Sequence, residues 1–344
     1  MARRLWTLIA IMVVTAGATT SALAHLTGVF AYFVQDIGEP TATTRLLRQQ
    51  LDNSAERIAE IRPEIEAARA AYSAQAESVV RRLRFYDVYA GSAVGALWTG
   101  AQNPIDVLAS IELLEKRLDD DLLALTRLEE AYSDIQFKEQ TLTRYDDLLK
   151  AYEQSAAARD ERLGEIPEDM VSPFGEPYVA YEIAEAWESL RPTTFISYFD
   201  WASKRIAERI AGVVQPAAEA PQGWELREEV LNTLVGGDAF PFVEDARFYI
   251  RADHVNFAGR MQTAIGTYHL LTIGQMERTG PESLQYRIEG IFLDGMPIDP
   301  NDPDVQREVY RGNLLAIDLN PLLPEGGRGA TFEQHNGYLL FRSL

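Results

Sequence analysis

With 344 residues the chain is long enough for about two domains, and its 47% hydrophobic and 24% charged residues exclude bulk disorder. Its formal net charge of -20 argues against nucleic-acid binding and against contact with an anionic membrane surface, because so acidic a protein repels phosphate groups. The absence of cysteine excludes disulfides, thiol nucleophiles and thiolate metal sites.

The N-terminal segment, residues 1–35, is predicted to be a membrane anchor. Between Leu5 and Val34 the chain has no Asp, Glu, Lys or Arg, and about 30 such residues form a helix of about 45 Å, which can span a bilayer. The preceding Arg3-Arg4 pair predicts that the remainder of the chain lies outside the cytoplasm. The alternative is a signal peptide cleaved after Ala22-Leu23-Ala24, which makes the protein secreted. An anchor is favoured because cleavage leaves an exposed apolar terminus, HLTGVFAYFV.

Residues 41–163 are predicted to form a long antiparallel coiled-coil hairpin. Two apolar stripes step by three and four residues through charged sequence, so packing one stripe against the other buries both. Pro63 is expected to kink or break the first helix. The first stripe consists of Leu47, Leu51, Ser54, Ile58, Ile61, Ile65, Ala68, Tyr72, Gln75 and Val79. The second consists of Leu108, Ile111, Leu114, Leu118, Leu122, Leu125, Leu128, Tyr132, Ile135, Leu142, Leu149 and Tyr152.

Between the stripes, residues 85–104 (FYDVYAGSAVGALWTGAQNP) are predicted to form a small helical lobe at the tip of the hairpin. Their three glycines lower helix propensity, and Asn103-Pro104 is typical of the start of a helix. The apolar side chains either cap the end of the hairpin or bind a partner. The candidate partner-binding residues are Phe85, Tyr86, Tyr89, Val94, Leu97 and Trp98.

Residues 81–132 resemble the coiled-coil region of the PcsB, CwlO and EnvC group of cell-wall hydrolases and hydrolase activators. The residues that match the motifs of that group are Leu83, Arg84, Tyr86, Leu97, Asp106, Leu108 and Ile111. The resemblance, over about residues 45–160, implies an extracytoplasmic protein that docks on the outer loop of an FtsX-like membrane protein. ATP use by the FtsE partner of that protein is then expected to switch peptidoglycan cleavage.

A connector of residues 164–213 is expected after the hairpin, because four prolines interrupt the pattern. Helical spacing returns at Phe195, Phe199, Ala202, Ile206, Ile210 and Val213. This helix is predicted either to pack on the base of the hairpin or to cover a binding surface. Residues 214–223 are predicted to be a Pro/Ala linker.

The last segment, residues 224–344, is predicted to be an α+β domain with one antiparallel sheet. A helix is expected from Trp224 to the Gly236-Gly237 pair, followed by four strands that begin near residues 246, 254, 264 and 283. A second helix is expected from Pro303 to Ile317, and a final hairpin around Asn336-Gly337. A helix on one face of the sheet then completes the core.

This segment is also similar to LmeA-type tubular lipid-binding domains. The resemblance rests on Glu229 and Asn232 in the first helix, on Gly295 to Pro297, and on Asn336-Gly337, although Asp299 stands where those domains often have proline. It implies an apolar groove between helix and sheet; the alternative is that its aromatic residues fill an ordinary core. The candidate groove residues are Phe240, Phe242, Phe248, Tyr268, Tyr286 and Phe292.

No catalytic or metal-binding motif is evident in the sequence. The four histidines have no spacing suited to a metal, and the patterns of serine esterases and phosphate-binding loops are missing. The acidic turn at residues 299–304 does not match an EF-hand loop. We therefore predict no enzyme activity, no catalytic residue, no cofactor and no metal.

The leading functional prediction is a non-catalytic, extracytoplasmic adaptor or regulator of peptidoglycan remodelling or cell division that docks on an FtsEX-like transporter and engages a cell-wall hydrolase. One alternative is a membrane-tethered carrier of a lipid or another apolar ligand. The other is a hydrolase with an unrecognised pair of carboxylates, which the many Asp and Glu residues leave open.

Overall fold

The structure is a computed structural model that describes residues 32, 36, 41–100, 104–164, 175–217, 223–264, 266–310, 314–322 and 329–343. In residues 85–100 it describes the helical backbone. The chain divides into two compact units, residues 54–146 and the parts of the chain on either side of them. Within the described residues no helix is long and apolar enough to cross a bilayer. The predicted membrane helix lies outside these residues apart from Tyr32.

The predicted antiparallel helix pair is confirmed. Helix α1 runs over Ala42–Gly100 and helix α2 over Pro104–Gly164. In the unit of residues 54–146, the Tyr72 and Tyr132 rings lie 5.6 Å apart, and Arg69 forms an ion pair of 2.6 Å with Glu139. The buried residues between the helices follow the predicted spacing, because a seam of this period keeps one face of each helix towards the other. They include Ile58, Ile61, Ile65, Val79 and Ile135.

Part of the second predicted stripe is wrong. Leu122 is 54% exposed, whereas Asp121 is buried; Tyr132, although 48% exposed, does contact Tyr72 of α1 as the stripe predicts. Steps of seven residues back from the buried Ile135 arrive at positions 128 and 121. The seam between the helices therefore includes Asp121, whereas Leu122, which the apolar pattern predicted to be in the seam, faces outwards.

Helical backbone extends through most of the predicted interruption at residues 85–104. Helix α1 continues through Pro63, Gly91 and Gly95 to Gly100, and α2 begins at Pro104. A glycine costs about 1 kcal/mol in a helix, and a helix of 59 residues, once nucleated, tolerates several such penalties. Residues 101–103 lie outside the described residues. The predicted partner-binding residues, Phe85, Tyr86, Tyr89, Val94, Leu97 and Trp98, all lie on the helical backbone of α1.

A helical segment precedes the sheet domain. Helix α3 spans Gly175–Leu190, a π-helical turn spans Arg191–Phe195, and helix α4 spans Ile196–Val213. Pro192 lies in the π-helical turn, where its missing N–H leaves one helical hydrogen bond unmade and a wider turn accommodates it. Helix α4 buries the face predicted from the spacing, including Phe199, Ala202 and Ile206.

The described part of the C-terminal domain contains two antiparallel sheets, where the sequence predicted one. The strands are β1 Gln215–Pro216, β2 Gly223–Arg227, β3 Val243–Ile250, β4 Val255–Gln262, β5 Thr267–Gly280, β6 Ser283–Leu293, β7 Met296–Pro297, β8 Ala316–Asp318, β9 Ala330–His335 and β10 Tyr338–Ser343. One sheet has the order β3-β4-β5-β6-β7, with β8 also paired to β6, and the other has the order β1-β2-β10-β9.

The predicted bounds of the linker and of two helices in the C-terminal domain are wrong, because parts of these segments pair as strands with distant parts of the chain. The predicted linker supplies β1, and the helix expected from Trp224 begins as strand β2, which pairs with the C-terminal β10. Helix α5 follows only at Glu228–Val235. The helix expected over residues 303–317 is a short helix α6, Pro303–Val305, with a π-helical turn at Gln306–Tyr310 and then strand β8.

The six-stranded sheet is buried on both faces. On one face α4 packs against a large core in which Phe199 contacts Phe248 and Phe257. On the other face a separate apolar cluster joins Tyr249 and Phe292 to side chains of α1 and α2. Phe248 and Tyr249 are adjacent in β3, and since successive strand residues point to opposite faces, Phe248 lies in the main core and Tyr249 in the cluster beside α1 and α2.

Candidate functional site: the junction of the long helices with the sheet

In the unit formed by the parts of the chain on either side of residues 54–146, the most distinctive contact lies where the long helices pack on the six-stranded sheet. We call this contact the junction and define it as α1 up to Asn53 and α2 from Asp147, with the sheet residues they touch. Its apolar part is separate from the main core. Three residues of α1 are partly buried in it. The members of this cluster are Leu148, Ala151, Tyr152, Tyr249, Leu271, Ile273 and Phe292, together with Leu46, Leu47, Leu51 and Ala258.

Two glycines allow the helices to approach the sheet closely. A Cβ atom added to Gly290 would lie 3.1 Å from Cγ2 of Thr43 in α1. A Cβ atom added to Gly295 would lie 2.2 Å from the carbonyl oxygen of Ser155 in α2. The contact at Gly295 leaves no room for a side chain, so the backbone of α2 rests directly on the turn between β6 and β7.

A buried hydrogen bond crosses the centre of the junction. The Tyr152 hydroxyl donates to Oδ1 of Asn256 at 3.0 Å, and both residues have 0% exposure. Nδ2 of Asn256 has no hydrogen-bond partner among the described residues. Because a buried amide is costly to leave unpaired, the tyrosine hydroxyl fixes which turn of α2 lies over strand β4.

At one end of the junction, Asp36 joins the start of α1 to the end of α2. Its Oδ1 accepts hydrogen bonds from the Thr41 amide at 2.9 Å and from the Thr44 hydroxyl at 2.6 Å. Its Oδ2 lies 3.3 Å from Nη2 of Arg159. Asp36 is buried, so this ion pair is screened little by solvent. The chain just after the predicted membrane segment is thus bound to both helices.

A second ion pair lies nearby and connects α2 to the end of β6. Nε of Arg162 is 3.0 Å from Oδ2 of Asp294, and its guanidinium lies 5.5 Å from the ring centre of Tyr268. The other Asp294 oxygen accepts the amide of His269 at 2.6 Å. Burial raises the pKa of the Tyr268 hydroxyl above its ordinary value.

A histidine with two acidic neighbours lies beside α1. Nδ1 of His254 lies 3.0 Å from Oδ2 of Asp253, and Nε2 of His254 lies 3.2 Å from Oε2 of Glu289. The side-chain nitrogen of Gln50, in α1, lies 3.0 Å from Nδ1. Burial lowers the pKa of His254, but hydrogen bonds to Asp253 and Glu289 outweigh that effect and raise it to about 9. The hydrogen bond from His254 lowers the pKa of Asp253 in turn. His254 is therefore a cation at neutral pH.

The chemistry of the junction is suited to holding elements together. A protonated His254 cannot accept a proton as a general base, and the buried Asp36 and Asp294 are occupied by arginines. In the described ranges, no group of three or more His, Asp or Glu residues is arranged to hold a metal. The arrangement can keep the ends of two helices in a fixed register on a sheet.

The predicted groove residues do not come together in one groove. Phe248, Tyr268 and Tyr286 are buried in the main core, and Phe240 is partly buried against it. Phe292 lies on the opposite face of the sheet, in the junction. Phe242 is 63% exposed.

A β-bulge explains why Tyr286 and Phe292 are separated. They are six residues apart in one strand, and an even spacing predicts a shared face. The register of β6 against β5 shifts next to Gly290, so that Glu289 is an extra residue. The extra residue reverses the facing of every side chain beyond it.

An open cavity of about 520 Å³ lies between the middle of α4, the turn from β5 to β6, and strand β8. None of the six predicted aromatic residues lines it. Its Ser203 hydroxyl donates to the Phe199 carbonyl at 2.8 Å and accepts the Ala316 amide at 2.9 Å. That hydroxyl is therefore used in holding α4 to β8, and the cavity does not replace the groove that the resemblance predicted.

The polar residues of the junction were not identified from the sequence. Arg159, Asn256 and His254 are single polar residues without a motif, and only contacts between distant segments bring them together. Asp36 did carry a visible signal, because it is the first charged residue after the apolar N-terminal run. Tyr152 belonged to the predicted stripe, but its hydrogen bond depends on the sheet.

Comparisons with known proteins give no identification. No family model, no curated protein and no solved structure matches the chain. The antiparallel helix pair is consistent with the PcsB-type resemblance, as is a following domain with antiparallel sheets. A helix pair of this kind does not by itself define a family, because fold does not imply function.

Proposed function

We propose that the protein is a non-catalytic, membrane-tethered adaptor of the cell envelope. Its helical hairpin receives a conformational signal, and its C-terminal domain passes that signal to the peptidoglycan machinery. The observation that carries the proposal is the junction, where the ends of both long helices are packed against one face of the six-stranded sheet.

The junction supports mechanical coupling because it combines close packing with specific polar contacts. A helix that slides by one turn moves by about 5.4 Å, and such a shift would separate Tyr152 from Asn256 and Arg162 from Asp294, pairs that are now 3.0 Å apart. Loss of the buried Tyr152–Asn256 hydrogen bond and of the half-buried Arg162–Asp294 ion pair makes sliding at the junction unfavourable. A force applied to the helices is then transmitted to the sheet, which supports a role in signalling.

The proposed partner at the tip is an FtsX-like membrane protein, and the proposed location is outside the cytoplasm with an N-terminal membrane tether. Both parts rest on the sequence: the apolar segment between Leu5 and Val34, and the resemblance of residues 81–132 to the PcsB, CwlO and EnvC group. A cell-wall hydrolase is the proposed partner of the C-terminal domain.

The experiment that tests the proposal is recovery of an FtsX-like protein from native membranes with the tagged full chain. We expect Leu97→Glu and Trp98→Ala to abolish its recovery while circular dichroism shows unchanged helicity. Gln136→Glu is the matched control, because it adds the same charge as Leu97→Glu at an exposed position of α2. Equal recovery by all variants would remove the assignment of the tip to docking.

The absence of catalysis is tested separately with a zymogram of the full chain on purified peptidoglycan. We expect no clearing by the protein alone. Clearing that is lost when a single Asp or Glu is replaced by its amide would show a hydrolase with a carboxylate site, and would contradict the adaptor proposal.

A further inference from the structure

One side of the helical hairpin, in the unit of residues 54–146, carries large apolar side chains that are exposed. Val80 of α1 is 45% exposed and Leu122 of α2 is 54% exposed. Val80 directly follows the buried Val79, and Leu122 directly follows the buried Asp121, so each is turned by about 100° from the seam. Because the two helices are antiparallel and both right-handed, these equal turns point to the same side of the hairpin.

The two exposed residues also lie at nearly the same level along the hairpin. The rings of Tyr72 and Tyr132 meet across the seam. Val80 is eight residues beyond Tyr72, and Leu122 is ten residues before Tyr132, which correspond to about 12 and 15 Å along the two helices. Val80 and Leu122 therefore belong to one apolar patch, and a contiguous patch of this kind indicates an interaction surface.

Opposite charges flank the apolar patch on the two helices. Arg84, four residues after Val80, and Asp119, three residues before Leu122, are both exposed, and these spacings place each of them beside its apolar neighbour, towards the tip. The helices differ in the same sense, since residues 54–84 of α1 have six arginines and five glutamates, whereas residues 104–146 of α2 have eleven acidic and five basic residues. The patch thus has a cation on its α1 half and an anion on its α2 half.

We propose that the apolar patch pairs with the same patch of a second copy of the chain, with the two hairpins parallel and side by side. A twofold axis along the hairpin places α1 of each copy against α2 of the other. Because the flanking residues are level with each other, Val80 then meets Leu122 of the second copy, and Arg84 meets its Asp119. Symmetry makes each of these contacts twice.

The charges favour this arrangement over the antiparallel one. Two hairpins that face each other in opposite directions would place α1 on α1 and the acidic α2 on the acidic α2, where like charges repel. In the parallel arrangement each acidic helix instead faces the arginine-containing helix of the other copy. The inference goes beyond the proposed function, because it depends neither on the membrane tether nor on docking at the tip.

The absence of cysteine from the chain permits a direct test of the arrangement. Full-length Val80→Cys and Leu122→Cys chains with tags of different size are co-expressed and then oxidised. We expect the mixed disulfide to be about tenfold more abundant than either homotypic one, because the twofold axis sets position 80 opposite position 122. The matched control is the co-expressed pair Ala71→Cys and Asp134→Cys, two exposed positions on the opposite side of the hairpin, which should cross-link only at background level.

Reversal of the flanking charges tests the same pairing without cysteine. Sedimentation of the full chain in detergent should show a dimer. Its dissociation constant should rise about tenfold in Arg84→Glu and in Asp119→Arg, since each change turns two attractive pairs into repulsive ones. The variant with both changes should return to the parent value, and circular dichroism should show the same helicity for all four chains.

Three results overturn the pairing and leave the adaptor proposal standing. The first is a parent chain that sediments as a monomer. The second is a double charge variant that dimerises no better than the single variants. The third is a mixed disulfide no more abundant than the homotypic ones, or than the disulfides of the control pair.

Discussion

Replacement of Gly295 by alanine tests how tightly the end of α2 is held against the sheet. Gly295 has a φ of +72°, in the left-handed region, where a side chain costs about 1–2 kcal/mol. The added Cβ would lie 2.2 Å from the Ser155 carbonyl oxygen and 2.8 Å from Cβ of Arg159. Since such a carbon and oxygen normally stay about 3.3 Å apart, α2 must move away from β6 by about 1 Å.

The free-energy cost of moving α2 adds to the cost of the left-handed backbone conformation at position 295. Overpacking of a close contact typically costs about 1–3 kcal/mol, so Gly295→Ala should lower the free energy of unfolding by about 2–5 kcal/mol. Gly237→Ala is the matched control, because Gly237 has a φ of +62° and no atom within 4 Å of the added Cβ. It should cost only about 1–2 kcal/mol.

The assay is thermal and denaturant unfolding of the two variants beside the parent chain. The expected difference of about 1–3 kcal/mol corresponds to a melting temperature roughly 3–9 °C lower for Gly295→Ala than for Gly237→Ala. Hydrogen exchange should also quicken in the last turns of α2. If the two variants lose the same stability, α2 yields without cost, and the junction is too loose to transmit force.

Two further predictions concern the polar contacts of the junction. Tyr152→Phe should lower the free energy of unfolding by about 1–3 kcal/mol, because it leaves the buried Asn256 without the hydroxyl as a donor. The control, Tyr132→Phe, changes a residue that is 48% exposed and should alter the free energy of unfolding by less than about 0.5 kcal/mol. Equal effects of the two variants in denaturant unfolding would contradict the role given to the Tyr152 hydroxyl. His254 has a pKa raised from 6.5 to about 9 by its acidic partners, so its stabilisation should be complete below pH 6.5 and should be lost as the pH rises through 9. Unfolding free energies measured from pH 6 to 10 should decline more steeply for the parent chain than for His254→Gln, and parallel curves would refute the assignment.

Local sequence patterns predicted the elements whose contacts are close in the chain or repeat regularly. The stripe from Leu47 to Val79 predicted the buried face of α1, because heptad spacing alone keeps such a face towards a neighbouring helix. The strand predicted to begin near residue 283 is β6, which begins at Ser283, and the Asn336-Gly337 turn does join two antiparallel strands. In each case the pattern is set by the residue's own neighbours.

The amino-acid sequence by itself thus determined the helix pair, most strands of the sheet domain and the acidic character of the protein. Only the tertiary structure decided that the segment around Trp224 is a strand and not the start of a helix, because the partner of that strand is the distant β10. It also decided that the bulge at Glu289 places Phe292 against the long helices and Tyr286 in the main core. The physical reason is common to both: strand pairing and burial depend on residues far apart in the chain, and a single extra residue in a ladder reverses which side chains face each layer.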